Sequence, residues 1–169
     1  VYVPALRVAR PEINRSYTPN LQGDLPLIVL EFISETDGGE YSNRRTPPIG
    51  KWFFYERILQ VPIYGIFEPE GGLLELYRLK GDRYELEMPD ENGRHWLSEL
   101  NLFLGPWRGE RPGERSGYWL RWWDTQGSLL LWGSERAEQE KRRADAAEQR
   151  ASQLAELLRQ QGIDPEALL

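Results

Sequence analysis

From Leu27 to Ile33 the chain reads Leu-Ile-Val-Leu-Glu-Phe-Ile, six apolar residues around one carboxylate. A short unbroken apolar run rich in β-branched side chains is the pattern of a buried strand. An ionised carboxylate left unpaired there costs several kcal/mol, so Glu31 needs a cation, a metal or a proton. Two ordinary alternatives stay open: the strand end can emerge into solvent, or Glu31 can pair with a structural Lys or Arg.

Further strand patterns follow at Ile63–Phe67, Leu73–Leu79 and Tyr84–Met88. They are separated by the turn segments Glu68-Pro69-Glu70-Gly71-Gly72 and Lys80-Gly81-Asp82, which predicts a β-meander. Tyr118–Trp123 and Ser128–Trp132 flank Asp124-Thr125-Gln126-Gly127 as a further hairpin. Val1–Val8 reads as a strand with Pro4 at an edge or bulge. Between the first two strands, Thr46-Pro47-Pro48 suits a helix entry, with Thr as cap and Pro in the first turn. The helix would carry Lys51 to Leu59, with Lys51 and Tyr55 on one face. The expected fold is α/β (α+β), a mixed β-sheet core with a flanking helix.

From Ser134 the composition changes: aromatics disappear, and Ala, Glu, Arg and Gln dominate up to Gly162. Ser134 and Gly162 suit the two ends of one long helix. Ala137, Ala144, Ala151 and Leu158 recur every seven residues, with Ala147 and Leu154 at the second seam offset. This is a coiled-coil-like seam, equally readable as a solvated single helix, since Ala buries little and Glu140 and Gln161 occupy seam sites. The expected organisation is a domain over 1–133 and a helical tail over 134–169, through which the chain could form a homo-oligomer or hold a partner protein.

The 169 residues carry a net charge of −6 with a pI near 5.0, which argues against binding nucleic acid by bulk charge and leaves only local basic patches. Candidate patches are Arg44, Arg45 and Lys51, and Arg108, Arg111 and Arg115 in the glycine-rich stretch after Trp107. No cysteine and a single histidine, His95, exclude thiol catalysis and cysteine-built zinc sites and leave oxygen-bound hard cations as the metals to consider. No apolar run is long enough to span a membrane, so a cytoplasmic protein is expected. The chain starts at Val1 in a strand-like pattern, as an internal point of a longer sequence would. Trp122 and Trp123 must face opposite sides of a strand, so the tryptophans are read mostly as core rather than as a sugar- or base-stacking platform.

Four features occur in order: Glu31-Phe32-Ile33-Ser34 closing an apolar strand, Lys51-Trp52-Phe53-Phe54-Tyr55, Ile63–Phe67 ending in Glu68-Pro69, and the Ala/Glu/Arg tail ending Gly162-Ile163-Asp164-Pro165. In this combination the chain resembles the Uma-two family of bacterial restriction-endonuclease-like proteins, in the PD-(D/E)XK nuclease superfamily. The resemblance runs along nearly the whole chain, although each motif alone is weak. It implies a restriction-endonuclease-like fold and a metal-dependent endonuclease that hydrolyses DNA phosphodiester bonds with Mg²⁺ (or Mn²⁺). Glu31 would be the second acidic ligand and the backbone carbonyl of Phe32 a further one. The usual Lys position, two after the Glu, is Ile33 here, so Lys51 on the helix would replace it, with Tyr55 one turn later. Pro4-Ala5 matches the family's Pro-Asp, and an Ala methyl cannot bind a cation. Ala5 therefore marks the position of the missing Asp. That leaves an inactive relative acting as an interaction module through its C-terminal helix, or a substitute acid such as Asp24 or Glu68. Both acids also read as ordinary turn residues. The helix and hairpin with which the family begins have no counterpart after Val1.

Overall fold

The computed structural model describes residues 1–5, 17–19, 21–33, 39–111 and 116–162. The chain forms two compact units, Val1–Leu129 and Leu130–Leu169. In the first, β1 (Ile28–Phe32) leads through a loop to a short helix, α1 (Lys51–Phe53), which continues directly as a π-helical turn, Phe54–Ile58. Then come β2 (Ile63–Glu68), β3 (Leu73–Lys80), β4 (Arg83–Glu87), β5 (His95–Leu97), β6 (Leu102–Gly109) and β7 (Gly117–Trp123). One sheet has the order β1-β2-β3-β4, with β1 parallel to β2 and the other pairs antiparallel. The second is β5-β6-β7, antiparallel throughout. The parallel pair requires a crossover, and the helical segment supplies it. The result is a mixed α+β fold consistent with the restriction-endonuclease-like class.

Strand alternation divides the first sheet into two faces, each with its own core. Ile28, Ile63, Phe67, Leu74 and Leu76 point to the face that packs with Leu97 and Leu104 of the second sheet. Val29, Tyr64 and Ile66 point the other way, together with Val61 and Tyr84, and meet Trp52, Tyr55 and Leu59 of the helical segment. Trp52 is the centre of this second cluster. Its ring lies edge-on to Tyr64, Tyr77 and Tyr84 at centroid distances of 5.8, 4.6 and 5.5 Å. Aromatic pairs in this geometry add about 0.5–1.5 kcal/mol each beyond the area they bury. The helix is pinned by Glu56, which is 2% exposed: its Oε1 accepts from Trp52 Nε1 at 3.2 Å and from the Tyr84 backbone N–H at 2.9 Å, and its Oε2 from Arg57 Nε at 3.1 Å.

Several local expectations are corrected. Thr46 does not cap the helix, because Gly50 stands at that position in extended conformation and Thr46-Pro47-Pro48 lies in the bend before it. Ser128–Trp132 is not a strand: Asp124 Oδ1 binds the backbone N–H of Gln126 and Ser128, closing the turn, after which only Leu129 bridges to Trp123. β5 was not anticipated, and Arg108 lies in β6 rather than in a loop. Of the Val1–Val8 strand, Tyr2 bridges Ile28 and residues 6–8 fall outside the described residues.

The second unit is the helix α2 (Gly133–Gln160), 28 residues with none buried. Its cap is Trp132 rather than Ser134, with the Trp132 backbone N–H donating to Glu135 Oε2 at 2.7 Å. Beyond its C-terminus Gly162 takes φ +79°, the left-handed conformation that glycine adopts without strain. Among the described residues no helix is long and apolar enough to cross a membrane.

Candidate active site

Glu31 shares the parity of Val29, so it points to the helix-covered face, opposite Ile66 in register. The helical segment brings two side chains to it from positions four apart. Lys51 Nζ donates to Glu31 Oε2 at 3.2 Å, and the Tyr55 hydroxyl donates to Glu31 Oε1 at 2.9 Å. Both carboxylate oxygens are therefore engaged, and the side chain keeps 20% exposure. The cation that an acid in this strand requires is Lys51.

A second carboxylate, absent from the sequence-based site, enters from the loop before the helix. Glu40 is 2% exposed, and its Oε1 accepts from the same Lys51 ammonium at 3.0 Å. Among the described residues its Oε2 has no hydrogen-bond partner, although it is buried. The Glu40 backbone carbonyl accepts from the Tyr64 hydroxyl at 3.0 Å, which ties the loop to β2. The loop reaches the helix start because of Gly50. A Cβ there would stand 2.0 Å from the Ser42 carbonyl oxygen, a distance no side chain tolerates. The Gly50 N–H bonds the Arg44 carbonyl at 2.8 Å and the Phe53 N–H that of Ser42 at 3.5 Å, closing the loop over the first helical turn.

One ammonium thus serves two carboxylates. The Lys51 pKa is raised, chiefly by the hydrogen bond to Glu40, against the opposing effect of burial, so the side chain stays charged over the physiological range. Burial, followed by the Glu31 hydrogen bond and charge, pushes the Tyr55 phenol well above its ordinary range, and Tyr55 remains a neutral donor. Tyr64 is shifted the same way by burial and by the charge of Glu31. Two of the three Lys51 donors are spent on the carboxylates, and about a third of the side chain is exposed, so one donor remains for an incoming anion.

Ala5 lies outside this cluster. Tyr2 stands opposite Ile28 in antiparallel pairing, and the Ala5 carbonyl accepts from the Asp24 backbone N–H at 3.0 Å. From that bridge Ala5 runs three residues one way and Glu31 three residues the other. Asp24, bonded at Ala5, also takes the Tyr17 hydroxyl on its backbone carbonyl at 2.6 Å. Glu68 is a turn acid, accepting the backbone N–H groups of Glu70 at 2.6 Å and Gly71 at 2.7 Å. Phe32 is half exposed, with its ring edge-on to Phe67 at 5.7 Å; its backbone adjoins Glu31 at the end of β1, where the Ile33 N–H bonds the Phe67 carbonyl at 2.9 Å. Arg44 and Arg45 sit exposed in the loop leading to α1, Arg45 over the Phe53 ring at 5.6 Å. Arg108 and Arg111 belong to the second sheet's region, against Tyr118 and Trp119, and Arg115 lies outside the described residues.

Among the described residues no three His, Cys, Asp or Glu side chains gather as a metal-holding group. What converges instead is a pair of carboxylates on one point, one of them with a buried oxygen lacking a partner. That donor set fits a hard divalent cation such as Mg²⁺, which is commonly held by one or two carboxylates and keeps several waters.

Neither the curated proteins nor the solved structures contain a match to this chain. The Uma2 family model, described as "Putative restriction endonuclease", matches residues 1–107, which span β1, the helical segment and the first sheet with every member of the cluster. The chain that holds Glu31, Lys51 and Tyr55 in one hydrogen-bonded group therefore belongs to the Uma2 family.

Proposed function

We infer that this chain is a metal-dependent endonuclease that hydrolyses DNA phosphodiester bonds at the Glu31–Lys51–Tyr55 cluster. The observation that carries the reading is the direct contact of Lys51 with Glu31 at 3.2 Å, a carboxylate and an ammonium in a partly exposed group that the family match covers. Glu31 and the backbone carbonyl of Phe32 would hold Mg²⁺ or Mn²⁺. When bound, the ion lowers the pKa of its water and neutralises charge on the phosphate.

The chain's own residues do the rest. Tyr55, kept neutral, donates to one oxygen of Glu31 and fixes the carboxylate plane. Lys51, kept charged, directs its free N–H toward a phosphate oxygen and stabilises the charge that develops there as the bond to the leaving oxygen breaks. Arg44 and Arg45, exposed one loop away, meet flanking phosphates, a contact that positions DNA without reading its sequence.

Plasmid cleavage with Mg²⁺ or Mn²⁺ tests the reading. The chain as it stands should nick supercoiled DNA slowly, Glu31→Ala should abolish nicking, and Ala5→Asp should leave the rate unchanged because the Ala5 backbone is bonded at Asp24 rather than beside Glu31. Cleavage that survives Glu31→Ala would refute the assignment.

A second reading is supported by α2, none of whose 28 residues is buried. In it the nuclease-like unit is non-catalytic and residues 134–169 recruit a second copy or another protein. Sedimentation of the chain with and without 134–169 tests it: an oligomer that becomes a monomer on truncation supports this role, and a monomer in both cases removes the self-association.

A further inference from the structure

The Glu31–Lys51 contact leaves a charge imbalance. Glu40 and Glu31 both approach Lys51 Nζ, at 3.0 and 3.2 Å, and no other cation is bonded to either carboxylate among the described residues. If both are ionised, the group carries one negative charge in excess, on side chains that are 2% and 20% exposed. Excess charge with little solvent is unfavourable unless a further cation joins it. The unpartnered buried Oε2 of Glu40 is a second sign of an unfilled role, since buried carboxylate oxygens in folded proteins nearly always have a donor or a metal.

We propose that Glu40 is the second carboxylate of a divalent-cation site with Glu31, supplying the acidic ligand that the chain lacks at Ala5. The proposal rests on the reading of Glu31 as a metal ligand. It goes beyond that reading by naming the residue that completes the donor set. The placement is built rather than accidental: Tyr64 anchors the Glu40 backbone, Gly50 admits the loop to the helix start, and Lys51 draws the two carboxylates to a common point. Glu56 provides the internal contrast. It is equally buried, but each of its oxygens has a donor, from Trp52, Tyr84 or Arg57, whereas Glu40 Oε2 has none among the described residues.

In this arrangement Lys51 and the metal compete for the same carboxylate charge, which gives opposite signs to two substitutions. Glu40→Gln removes a ligand and weakens the cation. Lys51→Met removes the competing ammonium and strengthens it.

Mn²⁺ titration of the full chain, with free Mn²⁺ counted by electron paramagnetic resonance, tests this without any cleavage assay. One site is expected. Glu40→Gln and Glu31→Gln should each weaken it by at least about tenfold, the lower end of what even outer-shell substitutions cost a metal site. Lys51→Met should tighten it severalfold. Glu40→Gln binding Mn²⁺ as well as the parent overturns the proposal, as does the absence of Mn²⁺ binding in both the parent and Lys51→Met. If Glu40→Gln fails to fold, Lys51→Met still decides: unchanged or weakened binding overturns the proposal. The nuclease reading fails separately, when Mn²⁺ binds through both carboxylates but no DNA is cut.

Discussion

Replacing Lys51 with Met leaves Glu40, almost fully buried, beside Glu31 with no cation bonded to either among the described residues. Losing one partner of a fully buried pair costs about 3–5 kcal/mol, and an exposed pair is worth about 0–1 kcal/mol. This pair lies between, since Glu40 is 2% exposed and Lys51 35%. About 2 kcal/mol is therefore expected for Lys51→Met. Glu40→Gln removes the charge together with the pairing and should cost about 1 kcal/mol, the value of an ordinary hydrogen bond. In the double variant no charge is stranded at position 40, so the total should be near 1.5 kcal/mol instead of the additive 3, a coupling of about 1.5 kcal/mol. Urea unfolding followed by tryptophan fluorescence measures this. With a slope of about 1.5–2 kcal/mol per molar, the Lys51→Met midpoint should fall by about 1 M. The pH dependence provides an independent sign. The folded pKa of Lys51 lies above its unfolded value, so its contribution is complete below about pH 10.5 and is lost as pH rises through the folded pKa. Lys51→Met should lack that alkaline loss. A Lys51→Met cost under about 0.5 kcal/mol, or strict additivity with Glu40→Gln, would refute the claim that this ammonium neutralises Glu40.

Gly50→Ala should destabilise by about 2 kcal/mol or more, because its methyl meets the Ser42 backbone carbonyl, and should abolish the alkaline loss assigned to Lys51 by pushing the Glu40 loop away. Tyr55→Phe should cost about 1 kcal/mol in the same urea assay by removing one donor from Glu31. His95, 2% exposed, has its pKa lowered mainly by burial. Stability should therefore be intact above about pH 6.5, the unfolded value, and fall as pH drops below it. His95→Leu should flatten that part of the profile, and an unchanged acid limb would contradict the assignment.

Much of the cluster could be read from periodicity. The two-residue alternation of β1 sets Glu31 apart from the ordinary surface acids, and the four-residue spacing of Lys51 and Tyr55 brings them to one face, a relation that the π-helical turn preserves. The strands of the first sheet were legible for the same reason. Glu40 was not, because it lies in a loop with no repeating pattern. Its burial is produced by Gly50 and Tyr64, contacts between segments far apart in the chain. Ala5 was placed by motif order alone, which carries no pairing information; the Tyr2–Ile28 bridge and the Ala5–Asp24 bond supply it. The three-residue β5 and the extension of β6 through Pro106 to Gly109 escaped because pairing across the sheet, rather than local propensity, creates them. The tail's seven-residue repeat describes a helix correctly but does not say what covers it, and none of its 28 residues is buried.

The central claim is that Glu31 and Lys51 act as one unit in phosphodiester cleavage, and a double-mutant cycle on the rate tests it most directly. Plasmid nicking under Mn²⁺ is compared for the parent, Glu31→Ala, Lys51→Met and the double variant. Residues that act together lose their function together, so the double variant should be no slower than the slower single variant. Two separate losses that multiply in the double variant, or nicking that none of the substitutions reduces, would contradict the account.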